Sequence, residues 1–204
     1  MSTQPGNYTF TKGDTLVSLW RRLVDGDGDT PRDISGDTIT FQMTLESDSS
    51  EKIIAGSEAG TVNMKQAGDG VAIITAITAA FPPVVTTSDT HGLTAGDVVT
   101  FSGIVGMTEL NDLFWEVGAV GSTTTFEVNA IAGGPLYGTQ FNAWSSGGIV
   151  DTRGMVSYDW AAADVDTAGI YRGQFIRTNT SKTETFPNDS RGFRIEIKDP
   201  AKDA

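Results

Sequence analysis

Few side chains in this sequence are suited to chemistry. One histidine, His91, and no cysteine accompany 26 carboxylates and 14 Lys or Arg, for a net charge of −12. Without cysteine there are no thiolate nucleophiles, disulfides or Cys-ligated zinc sites. His91 has no partnered nucleophile to serve as a base and no companion His or Cys to serve as a metal ligand. The string His91-Gly92-Leu93 ahead of Gly96-Asp97 therefore reads as a turn. An imidazole N–H bonded to a nearby carbonyl would hold it, and Gly92 would supply a backbone angle that other residues avoid. Asp25-Gly26-Asp27-Gly28-Asp29 has the alternating carboxylates of a calcium loop, but Thr30 stands where that loop needs Gly and Gly36 where it needs a bidentate Glu. It reads as a solvated turn. Glycoside hydrolysis would need two carboxylates about 5 to 10 Å apart, and no spacing singles out such a pair. The expectation is a chain that is not an enzyme, with no catalytic residues, no metal and no cofactor.

Two other groups carry information. In Asp166-Thr167-Ala168-Gly169-Ile170-Tyr171, an acidic residue and a glycine just before a strand, followed by tyrosine, form the corner of immunoglobulin-like sandwiches, where the phenol bonds back to nearby backbone. Asp166, Gly169 and Tyr171 are expected to be structural. Aromatics gather between residues 114 and 144: Trp115 lies in an alternating strand and suits a core, whereas Tyr137, Phe141 and Trp144 lie in Gly-rich surroundings. These three suit a small core or an exposed contact surface equally, since loop aromatics stack on sugar rings or anchor interfaces.

The elements that position these groups follow a period of two. Ile39, Phe41, Met43 and Leu45 alternate with Thr40, Gln42 and Thr44; Phe193, Ile195 and Ile197 alternate with Arg194, Glu196 and Lys198; Val156, Tyr158 and Trp160 alternate with Ser157 and Asp159. Such segments are strands with one apolar and one wet face, as in antiparallel sheets on a single core. Leu16 to Leu23 also reads as a strand. Glycine at 24 of 204 residues suits turn-rich β structure. Charge then divides the chain. Residues 71–150 hold six acidic groups and no Lys or Arg, and 87 residues separate Lys65 from Arg153. A gap of that length marks a compositional unit inserted into a surrounding domain. The acidic balance disfavours general nucleic-acid binding. No run of about 18 apolar residues is present, and the opening MSTQPGNYTF lacks a basic and then apolar leader, so no membrane span and no secretion signal are expected.

Both pieces resemble known families. The order of Gly13-Asp14, Gly36-Asp37 before Ile39-Thr40-Phe41-Gln42-Met43, Asp166-Thr167-Ala168-Gly169-Ile170-Tyr171 and Thr185-Phe186-Pro187 resembles the N-terminal immunoglobulin-like domain of tailed-phage baseplate upper proteins. Within the insert, Thr90-His91-Gly92-Leu93-Thr94-Ala95-Gly96-Asp97-Val98-Val99 and Gly106-Met107-Thr108-Glu109-Leu110-Asn111 are similar to a small β-barrel module of phage tail proteins, itself similar to the first catalytic-cysteine half-domain of ubiquitin-activating enzymes. Ubiquitin transfer does not carry over, because a thioester needs a cysteine.

Together these readings give an all-β chain: a discontinuous immunoglobulin-like β-sandwich at residues 1–75 and 153–204, with a small β-barrel inserted at 76–152. The resemblance implies a structural protein of the virion, assembled in the host cytoplasm, that docks to other tail, baseplate or neck proteins and to symmetry-related copies of itself. A second expectation is that the insert binds a host receptor or surface glycan. No nucleic-acid or membrane partner is expected.

Overall fold

The computed structural model describes residues 7–15, 18–24, 30–64, 66, 70–131, 134–187 and 192–201. Asp25 to Asp29, with its calcium-like spacing, lies outside them, as do Leu16 and Val17. The chain forms two compact units, one of Pro5–Met64 with Val156–Ala204 and the other centred on Lys65–Met155. Each has its own apolar core.

The discontinuous unit is a two-sheet sandwich. One sheet contains β1 (Asn7–Thr11), β16 (Phe193–Lys198), β14 (Gly169–Thr178), β3 (Thr38–Leu45) and β4 (Glu51–Ile53) in that order, with β15 (Thr183–Phe186) also paired to β14. The other is β2 (Leu19–Arg22), β13 (Met155–Asp159) and β5 (Thr61–Met64). In immunoglobulin lettering β2, β13 and β5 take the places of B, E and D, while β3, β14 and β16 take those of C, F and G. The pairing of β1 with β16 is parallel, whereas β13 with β5, β14 with β15, β16 and β3, and β3 with β4 are antiparallel.

Alternation explains how the sheets meet. Ile39, Phe41 and Met43 on β3 and Phe193, Ile195 and Ile197 on β16 are all buried. Phe41 lies at the centre of the aromatic core, 4.5 Å from the Tyr158 ring, 5.1 Å from Phe175 and 5.9 Å from Trp160. On the outer face of the same sheet Gln42 and Gln174 face each other in register and share a 2.8 Å hydrogen bond; Arg177, on the same face as Phe175 and paired with Ile39 near the end of β14, meets Glu184 at 2.9 Å. One strand departs from the one-wet-face expectation: Ser157 is only 6 % exposed. Asp159, two residues on along the same face of β13, is exposed.

The continuous unit is built from β6 (Val71–Ile77), β7 (Val84–Thr87), β8 (Val98–Ser102), β9 (Phe114–Ser122), β10 (Thr125–Ala130), the short β11 (Gly134–Pro135) and β12 (Ile149–Asp151). Its pairings run β10–β7–β6–β12–β8–β9 and return from β9 to β10. Six strands thus form a closed ring of antiparallel pairs, and the ring encloses Val85, Phe101, Met107, Leu110, Phe126 and Val128. Closing a sheet on itself satisfies edge backbone groups that an open sheet would leave unpaired. Thr152 N–H and Oγ–H donate to Gly70 O at 2.7 and 3.2 Å, so the chain enters and leaves the ring at one point.

The boundary at residue 76 is corrected. β6 begins at Val71 and supplies the link between β7 and β12, so the insert must include it for the ring to close. The composition shift that marked the insert contains no such requirement.

Candidate functional site

The His91 segment is a turn at the end of the ring where the chain enters. Gly92 has φ +64° and Gly96 φ +88°, the left-handed region that glycine reaches without a Cβ clash. Leu93 N–H donates to His91 Nδ1 at 3.0 Å. The expected imidazole donor is therefore an acceptor, because the turn at Gly92 brings the Leu93 amide back onto the ring. A neutral imidazole that accepts at Nδ1 carries its proton on Nε2, and Nε2 has no hydrogen-bond partner. The His91 ring is 5 % exposed and lies edge-on to Phe126, 5.1 Å away. Asp97 completes the motif: its carboxylate accepts Thr94 N–H at 2.8 Å and Thr94 Oγ–H at 3.1 Å. Beside the turn is a pocket of about 400 Å³, lined by Val71, Ala72, Asp89, Thr90, His91 and Thr152 among others.

The loops linking β6 to β7, β8 to β9 and β10 to β12 lie at the opposite end of the ring, because successive strands alternate in direction. The three aromatics left open by the sequence separate here. Phe141 and Trp144 are partly buried against the ring core, and Trp144 Nε1–H donates to Gly147 O at 3.0 Å. Tyr137 is 57 % exposed and stacks on Phe81, with ring centroids 4.4 Å apart. Phe81 belongs to this surface but went unrecognised in the sequence. Its signal was only a lone aromatic before Pro82-Pro83, 56 residues from its partner.

In the sandwich, Tyr171 is buried and its hydroxyl donates to Thr167 O at 2.9 Å, four residues upstream. A Cβ at Gly169 would crowd the ring, lying 2.9 Å from Leu45 Cδ1 and 3.2 Å from Tyr171 Cε2. Asp166 does not bond to the phenol. It accepts from Lys52 Nζ at 2.5 Å and Thr167 Oγ at 2.7 Å, and these hydrogen bonds hold its carboxyl below the usual range. A second tyrosine network has no motif to announce it. Tyr158 donates to Asp164 Oδ2 at 2.9 Å and accepts from Gly60 N–H at 3.1 Å, while Asp164 also accepts Ala161 N–H at 2.8 Å. Burial, then the Asp164 hydrogen bond and charge, push the Tyr158 phenol well up.

Tyr171, Tyr158, Asp164, His91 and Asp97 are thus bonded to loop backbone, and Asp166 to the side chains of Lys52 and Thr167. Among the described residues no group of three His, Asp or Glu side chains is arranged to hold a metal ion, and no helix is long and apolar enough to cross a membrane. Residues 80–153 match the family model described as the ubiquitin-activating enzyme E1 FCCH domain. The match covers most of the ring and stops short of its first strand, β6. No curated protein matches the chain.

Proposed function

We propose that this chain is a non-enzymatic structural component of a tailed-phage virion, in the tail, baseplate or neck, whose sandwich docks to neighbouring virion proteins and to symmetry-related copies. The observation that carries the reading is the use of the reactive side chains. Tyr171, Tyr158, Asp164, His91 and Asp97 each hold a loop through a backbone hydrogen bond, which is the work of a scaffold. The immunoglobulin-like strand order and the E1 FCCH-type insert agree with the resemblance of both pieces to phage tail modules. An edge suited to docking is present: among the described residues β4 has one partner strand, β3, and it is followed by Ile54, which is exposed. Unpaired strand edges with apolar side chains are natural docking surfaces.

The experiment is electron microscopy of intact particles of the phage that encodes the chain, supported by mass spectrometry of purified particles. Density for the sandwich at a repeated position in tail, baseplate or neck is the expected result. Purified particles that lack the chain would overturn the proposal.

A further inference from the structure

Phe81 and Tyr137 come from different loops of the ring, yet both remain about half exposed, at 49 % and 57 %, with their rings stacked at an interplanar angle of 26°. Hydrogen bonds hold the backbone on either side of Phe81 and at Tyr137. Val128 N–H donates to Pro83 O at 3.0 Å, Thr78 N–H to Val84 O at 2.9 Å, and Gln140 N–H to Tyr137 O at 3.0 Å. Gly138 packs so closely that a Cβ would lie 2.4 Å from Pro83 Cγ and 2.7 Å from Ala80 O. The two loops are therefore locked side by side, and the aromatic platform exists before any ligand arrives. Little ordering entropy remains to be lost on binding.

Three features select the ligand. First, residues 71–150 hold six acidic side chains and no Lys or Arg, so a phosphate, sulfate or sugar acid would meet no counter-charge. Second, the stacked rings cover each other's inner faces, so the pair offers an outward face about one ring in size, far short of the about 800 Å² per side that a stable protein partner needs. A platform of that size fits one sugar ring. Third, Thr139 and Gln140, which follow Tyr137 after Gly138 in the turn Gly138–Gln140, are exposed and carry a hydroxyl and an amide. A pyranose has an apolar C–H face, electropositive at its hydrogens, that complements the negative face of an aromatic ring, and hydroxyls around its rim.

We propose that the Phe81–Tyr137 pair is a binding site for an uncharged glycan, one hexose ring of which stacks on the outward face of the stacked pair. The site adds a ligand to the structural role above and does not depend on where the chain sits in a particle.

The full chain would be applied to an array of neutral hexose and N-acetylhexosamine oligosaccharides, with sialylated and sulfated glycans alongside. The best neutral binder would then be titrated calorimetrically against the parent, Tyr137→Ala and Phe81→Ala chains, with thermal unfolding to verify their fold. Retention of a neutral glycan and a loss of about tenfold or more in each folded variant are expected. NMR of the unsubstituted chain gives a variant-free readout: the Tyr137 ring resonances should shift on addition of that sugar. Failure to retain any neutral glycan, retention limited to anionic glycans, undiminished binding by a folded Tyr137→Ala chain, or unshifted Tyr137 resonances would each overturn the proposal.

Discussion

Replacing Tyr171 with Phe removes one oxygen atom and little else. The ring stays in the sandwich core, where the parent residue is 1 % exposed, so no ring-sized cavity opens. Gly169 and Leu45 keep the ring in place, since the space a Cβ would occupy at 169 is bounded by Leu45 Cδ1 and Tyr171 Cε2. What is lost is the 2.9 Å bond to Thr167 O. A net intramolecular hydrogen bond contributes about 1 kcal/mol, and a buried acceptor left without its donor costs about 1 to 3 kcal/mol. Thr167 O lies at a loop partly open to water, which places the expected loss near the lower end, at about 1 to 1.5 kcal/mol. For a sandwich of about 110 residues this lowers Tm by roughly 4 to 8 °C. Urea unfolding followed by hydrogen-exchange mass spectrometry suits the question, because it reads peptides of the sandwich and the insert separately. The loss should appear in β3, β14 and β16 and be absent from β7 to β10. A change under about 0.3 kcal/mol, within the ordinary range of surface substitutions, would refute the corner as a stabilising device, and so would an equal loss in both units.

His91→Ala removes the acceptor for Leu93 N–H and the ring beside Phe126; the insert should lose about 2 kcal/mol, and an unchanged insert transition in calorimetry would contradict the turn role. Excision of residues 71–151 with a short Gly/Ser linker should leave the sandwich cooperatively folded, because Met64 and Val156 remain paired across β5 and β13; non-cooperative urea unfolding of the product would show that the insert is not separable. Alkali should destabilise the sandwich selectively. Burial raises the phenol of Tyr8 to about 12 and also raises those of Tyr158 and Tyr171. The folded state therefore holds protons that the unfolded state has already released, so stability is full below pH ~10 and falls as pH rises from ~10 toward 12. Absorbance titration near 295 nm should show these three ionising together with unfolding; ionisation of all four tyrosines near pH 10 in a chain still folded by circular dichroism would disprove it.

Legibility in the sequence followed locality. The strands at 39–45 and 193–198 could be read because each has a dry face and a wet face: Ile39, Phe41, Met43, Phe193, Ile195 and Ile197 are buried and Leu45 is partly so. The turn at His91-Gly92-Leu93 and the corner at Thr167 to Tyr171 could be read because donor and acceptor lie two and four residues apart. β6 could not. A bulge between Ile74 and Ala76 puts Ile74 and Ile77 in the core three residues apart, while Ile73 is 59 % exposed, so Val71-Ala72-Ile73-Ile74-Thr75-Ala76-Ile77 breaks the period of two on which strand reading relies.

The sequence alone determined the β class, the corner, the turn and the existence of an insert, since each depends on residue type at short range or on a run of composition. Only the tertiary structure decided where the insert begins, because ring closure depends on β6 pairing with β7 and with β12, far away in the chain. It also decided which aromatics reach solvent. Phe141 and Trp144 fold back on the ring core while Phe81 and Tyr137 meet outside it. Nothing local distinguishes these four, because burial is set by the loops that pack around a side chain rather than by the residues beside it in sequence.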